Sequence, residues 1–207
     1  MKSLNCPRFK RPVSVLLVGL ALALPVGAQA IMISEIMIDT PGGDNNKQWI
    51  ELYNDSGTPF DLTGYSLGWG RNDYTRGVFD LVGTIPAFGT WTVGGPTSNA
   101  ANGNPIYDQA QDLDASLQRG NNNGRADGVA LFDVAAAAID NTTIPIDAVI
   151  YGRLSASVRP NLWNEFGVTG SKEFLTDGFV AGQSIERLAD GSWQSQPAPS
   201  PGTTAVP

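Results

Sequence analysis

The sequence predicts an all-β domain, a sandwich or a barrel. Three observations carry that expectation. Short runs rich in β-branched and aromatic residues recur along the chain, and these residue types suit a pleated, half-buried surface. Turn dipeptides punctuate the runs: Ser56-Gly57, Asn102-Gly103, Asp127-Gly128, Asp177-Gly178 and Asp190-Gly191. No stretch shows convincing helical periodicity, so no helices separate the strands.

Taken in order, Ile31, Ile33 and the stretch Ile36 to Ile38 form an apolar opening strand around Ser34 and Glu35. A polar Pro/Gly/Asn/Asp loop, Thr40 to Asn46, follows. Gln48 to Asn54 contains Trp49-Ile50-Glu51-Leu52-Tyr53. Strand alternation puts Ile50 and Leu52 on one face and Trp49, Glu51 and Tyr53 on the other. Asp55 to Pro59 is a turn. Tyr65 to Trp69, Val78 to Val82, Thr90 to Val93, Gly128 to Asp133, Ala148 to Tyr151 and Gln183 to Arg187 read as further strands. Two stretches read as insertions, within residues 94–123 and 153–182; Leu162, Trp163 and Phe166 are available to pin the second to the core. One domain over residues 31–196 is expected, with no internal repeat. Residues 197–207 form a Pro/Ser/Thr-rich tail, expected to be extended or mobile.

The beginning of the chain is set apart from the fold. Lys2, Arg8, Lys10 and Arg11 precede an apolar run from Val13 to Val26, and Ala28-Gln29-Ala30 supplies small residues for signal peptidase. The run falls short of the roughly 20 residues that span a bilayer. A cleaved signal peptide over residues 1–30 is therefore expected, with a bacterial look. It implies a secreted or periplasmic product with no stable membrane span after cleavage. Cys6 lies too far ahead of the cleavage site to be a lipid-anchored cysteine.

Removing the signal takes four of the 13 basic residues and none of the 20 acidic ones, leaving nine against 20. A strongly negative field disfavours nucleic acid and anionic membranes as partners. The one cysteine leaves with the signal and the chain has no histidine. Serine–histidine and cysteine–histidine catalysis are excluded, as are most zinc and copper sites.

Several segments together resemble the lamin tail domain family in its bacterial secreted form. Ile33-Ser34-Glu35-Ile36 is similar to its opening strand and Trp49-Ile50-Glu51-Leu52-Tyr53-Asn54 to its most recognisable segment. Asp61 to Leu67, Ile85 to Thr90, Asp127 to Phe132 and Ile146 to Gly152 follow in the family's order. Ser184 to Arg187, Trp193 and Ser200-Pro201-Gly202 resemble its ending. The departures are a longer middle and the lack of an asparagine soon after Ser200-Pro201-Gly202. The resemblance implies an immunoglobulin-like β-sandwich used for binding or structure, with no catalytic residues to carry over; fold alone assigns no function.

Several residues could carry chemistry, and each also has a plainer role. Glu35, Glu51 and Glu186 could supply an acid–base pair for glycoside hydrolysis; the plainer reading is solvent-facing strand positions, or partners of arginines such as Arg187. Asn121 to Gly128 has some oxygen ligands of a calcium loop, but Arg125 falls where a ligand is wanted and no glutamate follows at the needed distance. Asp39 to Asp44 is a slightly better ion candidate, and it too reads as a turn. Trp69, Tyr74, Trp91, Trp163 and Trp193 are either a carbohydrate- or peptide-binding platform or core plugs. Asn54-Asp55-Ser56 and Asn141-Thr142-Thr143 match the glycosylation pattern, which matters only in a eukaryotic secretory pathway. Arg71, Arg76, Arg119 and Arg125 are scattered, not clustered. The expectation is a non-catalytic binding or structural module without a cofactor, with no catalytic or metal-ligating residue assigned. Its partner would be an unidentified protein or envelope component. The alternatives are a calcium- or carbohydrate-binding accessory protein and, less favoured, a carboxylate-dependent hydrolase.

Overall fold

The computed structural model describes residues 30–113, 117, 126–152, 161–162, 173–175 and 180–206. The expected signal peptide, Arg119, Asn121 to Arg125, Trp163 and Phe166 lie outside the described residues. Among the described residues there are thirteen strands: β1 (Ile31–Met37), β2 (Trp49–Asn54), β3 (Phe60–Asp61), β4 (Ser66–Gly70), β5 (Gly77–Asp80), β6 (Thr84–Ile85) and β7 (Thr90–Gly94). Then come β8 (Gln109–Ala110), β9 (Asp127–Phe132), β10 (Asp147–Gly152), β11 (Glu173–Leu175), β12 (Ser184–Arg187) and β13 (Trp193–Gln196).

The strands form an immunoglobulin-like sandwich. One sheet has six strands in the order β13-β12-β1-β2-β7-β8, the other five in the order β11-β10-β9-β4-β5, and β3 pairs with β6 as a small separate ribbon. Most neighbours are antiparallel, while β8 and β11 join as parallel edges. The two stretches read as insertions therefore each contribute an edge strand.

Alternation builds the core. Ile50 and Leu52 of β2 point inward with Val93 and Trp91 of the neighbouring region, against Leu67, Val129, Leu131 and Val149 of the facing sheet. The register between β1 and β2 shifts between Ile33 and Glu35. That bulge keeps Ile31, Ile33, Ile36 and Ile38 all in the core, although strict alternation would have turned the last two outward. The outer face of the five-stranded sheet is covered as well. Ala130, Phe132, Ala148 and Ile150 pack there with Tyr74 and Leu162, and Tyr74 donates its hydroxyl hydrogen to the Leu162 carbonyl at 2.7 Å.

One charged pair is sealed between the sheets. Arg187 Nη2 donates to both carboxylate oxygens of Asp147 at 2.8 and 2.7 Å, and the guanidinium lies 4.9 Å from the centre of the Trp193 ring. Asp147 also accepts the Ile33 N–H at 2.8 Å. Arg187 thus serves Asp147 rather than any of the three glutamates.

Close approach of backbones makes Gly94 a fixed choice. A Cβ there would stand 2.3 Å from the Gln48 carbonyl oxygen and 2.6 Å from Trp49 Cα, where no side chain can yield. Gly94→Ala should lower unfolding stability by about 1–3 kcal/mol through overpacking. A thermal-denaturation midpoint equal to that of the parent would contradict this.

Candidate functional site: a covered row of carboxylates

The outward face of the six-stranded sheet carries the chain's most unusual chemistry. Cross-strand register aligns Gln194 with Glu186, Glu186 with Glu35, Glu35 with Glu51, and Glu51 with Thr92. The bulge in β1 places Ser34 and Glu35, though consecutive, on this same face. Three carboxyl groups thus lie side by side on adjacent strands, a spacing that ordinarily penalises like charges.

These groups are not solvent-facing as the sequence had suggested. Glu51 has no exposed surface, and Glu35 and Glu186 are also buried. The reason is the C-terminal segment, which runs back over the sheet as a strap. Ser200 donates its N–H to Glu35 Oε1 at 3.0 Å and its hydroxyl to Glu35 Oε2 at 2.9 Å. Gly202 donates its N–H to Glu51 Oε2 at 2.5 Å. From the sheet, Ser34 donates to Glu51 Oε1 at 2.8 Å, Ser184 donates to Glu35 Oε1, and Gln194 donates to Glu186 Oε2 at 3.2 Å. A parallel bridge between Leu188 and Ala205 fastens the far end of the strap.

The loop after β7 supports the strap from one side. Gly103 sits where a Cβ would meet Pro199 and Pro201 at 3.0 Å. That loop is held in turn by Asn102, whose amide donates to the Lys47 and Thr97 carbonyls at 2.9 and 2.8 Å. The Asn102 carbonyl accepts the Trp49 indole N–H at 2.9 Å.

Burial sets the electrostatics. Desolvation pushes the Glu51 carboxyl up to about 8; the Gly202 and Ser34 hydrogen bonds oppose the rise, and the charges of Glu35 and Glu186 add to it. Glu35 is raised too, first by burial, against the bonds from Ser184 and Ser200. A protonated Glu51 can donate from Oε1 to Ser34 Oγ while Oε2 still accepts from Gly202, so the neutral acid satisfies the same contacts. Paired carboxyls of this kind can act as acid and base when substrate reaches them. Here the strap occupies that space. Two described cavities lie elsewhere, one of about 220 Å³ beside Arg71, Arg76 and Asp127 and one of about 470 Å³ beside Phe60, Tyr65 and Ile146.

Several of the remaining candidates among the described residues make structural contacts. Trp69, Tyr74, Trp91 and Trp193 are buried, so these four form no surface platform. Asp44 closes the loop after β1 by accepting the Thr40 N–H at 2.7 Å. The Asn54 amide donates to the carbonyls of Thr58 and Pro86 at 2.8 and 2.9 Å, tying two loops together. Among the described residues, no group of three or more Cys, Asp or Glu is arranged to hold a metal ion, and no helix is long and apolar enough to cross a membrane.

A sandwich with these opening strands invites comparison with known families. The family model described as Lamin Tail Domain matches residues 26–151. The chain belongs to the lamin tail domain family. No curated protein matches it. The matched span of this lamin tail domain ends near the end of β10, after Glu35 and Glu51 but before Glu186 and the strap. The row therefore joins two positions inside the family match to one beyond it. Membership makes the chain an immunoglobulin-like module of a kind that serves binding or structure.

Proposed function

We propose that this lamin tail domain is an exported, non-catalytic module that holds another macromolecule or a component of the cell envelope. The observation that carries the reading is the strap: the row where Glu35, Glu51 and Glu186 meet is filled by the chain itself, so the chemistry serves the fold. Export rests on the basic, apolar and small-residue pattern of residues 1–30. The net negative charge favours a partner other than nucleic acid.

Phe88 is the surface residue best suited to anchor such a partner. It is 64 % exposed and its backbone sits at φ 52°, a region that non-glycine residues seldom adopt. An aromatic ring presented on a tight, hydrogen-bonded turn is a low-entropy contact for a protein partner. The Phe88 N–H is fixed by the Ser56 carbonyl at 3.1 Å.

Fractionation of producing cells tests the reading. The protein should appear in the envelope or culture fraction with an intact mass beginning at Ile31. It should retain a specific envelope or secreted protein, and Phe88→Asn should weaken that capture severalfold at unchanged thermal stability. Full-length product in the cytosol would overturn the reading, as would turnover of glycans, esters or peptides that Glu51→Gln abolishes in a folded protein.

A further inference from the structure

The strap is held by unusual means. Its docking surface is a row of carboxyl groups with no cation among the described residues that line it. β1, β2 and β12 contribute Glu35, Glu51 and Glu186, while β13 and β7 close the ends with the uncharged Gln194 and Thr92. Beyond Thr92, Asp108 accepts the Thr92 N–H at 2.8 Å and adds a further negative group. Neither residues 197–206 nor the supporting loop, residues 95–104, contain an ionisable side chain. The nearest such group on that loop's far side is the Tyr107 hydroxyl, bonded to Asn102 and Thr97. Arg187, the base closest in sequence, points into the core and is paired with Asp147.

We propose that the C-terminal strap is a proton-operated latch: it lies closed over the sheet while Glu35 and Glu51 hold protons, and it lifts away when they ionise.

The geometry supplies the mechanism. With the strap closed, Ser200, Gly202, Ser34 and Ser184 are the donors to Glu35 and Glu51, and water has no access. A second negative charge on the neighbouring strand meets no counter-ion among the described residues. Lifting residues 199–205 replaces three strap hydrogen bonds with bulk water around the carboxylates, and water solvates the charges better than three donors do. Burial already holds Glu51 protonated up to about 8. By linkage, a site that prefers its proton when closed prefers to open once the proton leaves. The strap is short and rich in proline, so lifting it melts no ladder beyond the Leu188–Ala205 bridge. The core beneath stays intact, because Ile33, Ile50 and Leu52 face the other way.

Methyl relaxation on the isolated protein tests the latch. The Thr203, Thr204 and Ala205 methyls report the strap, and those of Ile33 and Leu52 report the core. From pH 5.5 to 8.5 the open fraction of the strap should rise, up to tenfold per pH unit for one coupled proton, while the core methyls keep their order. Glu51→Gln mimics the protonated acid, donating to Ser34 and accepting from Gly202. It should hold the strap closed at pH values where the parent has lost it. Ser200→Ala removes one donor to Glu35 and leaves the row in place; it should move the opening midpoint to lower pH. The proposal is overturned by any of three results: strap methyls ordered throughout in the parent, equal loss of order in Glu51→Gln, or an unmoved midpoint in Ser200→Ala.

Discussion

Arg187→Ala is expected to cost about 3–5 kcal/mol of unfolding stability, the usual effect of stripping one partner from a buried ion pair. A domain of this kind has only about 5–15 kcal/mol to lose. Most of the effect would come from Asp147, which loses the guanidinium between the sheets and keeps the Ile33 N–H as a donor. Loss of the guanidinium from the Trp193 ring would add a smaller amount. The double variant Arg187→Ala/Asp147→Asn separates these contributions. Asparagine keeps an acceptor for Ile33 and removes the stranded charge, so the double variant should be more stable than Arg187→Ala alone. Urea denaturation of the three proteins decides the matter. A single variant within about 1 kcal/mol of the parent would mean that Asp147 finds water, and the pair would then be a surface contact in energetic terms.

The second large effect is on pH dependence. Glu51 has an ordinary value of 4.5 when unfolded and is pushed up to about 8 in the folded protein. Below 4.5 both states carry the proton, and this group's contribution to stability is fully present. Between 4.5 and 8 the folded state keeps a proton that the unfolded state has lost, so stability falls as pH rises, by at most about 1.4 kcal/mol per unit. Above 8 both are ionised and the loss from this group is complete. Glu35, raised in the same direction, adds to the slope. Asp61, Asp140 and Asp190 are lowered by their own turn hydrogen bonds; their stabilisation is lost as pH falls through the acid range, which leaves the interval from 5 to 8 to the glutamate row. The urea midpoint should therefore drop from pH 5 to pH 8, and Glu51→Gln should flatten much of that drop. A midpoint that holds steady or climbs over the interval would show that the buried carboxyls are already solvated.

Much of the architecture was legible in the chain because alternation is a strong signal where one face is buried. Ile50 and Leu52 against Trp49, Glu51 and Tyr53 gave the correct faces of β2. The longer strands emerged within a residue or two of their ends. β3, β6 and β8 did not, since two residues carry no period. β11 and β13 were hidden in stretches with little apolar pattern. The bulge in β1 was also invisible: alternation cannot place Ser34 and Glu35 on one face.

The carboxylate row was half legible. The pattern of residues places the three glutamates on strands, but alternation alone leaves their face open to water. What covers it is a segment that composition alone marks as a tail, since Pro, Ser and Thr advertise extension and not docking. The overlooked signal lies in the neighbours. Trp49, Tyr53 and Met37 share the outward face with Glu51 and Glu35 and are all buried. Side chains of that size seldom line a purely solvent-facing surface, so a cover was implied before its identity was.

The order of strands in the larger sheet has a consequence for how the chain is made. β1 is synthesised first, yet one of its two neighbours is β12, and the Ser184–Glu35 contact joins positions 149 residues apart. Until β12 has been made, β1 has a partner only in β2, and its other edge presents unpaired N–H and C=O groups. Such pairings form slowly, and an open edge beside apolar side chains invites association between nascent copies. A prematurely terminated product is thus not a shorter domain. It is a sheet missing a central seam, and a chaperone that shields the first strand would act on it until β12 emerges.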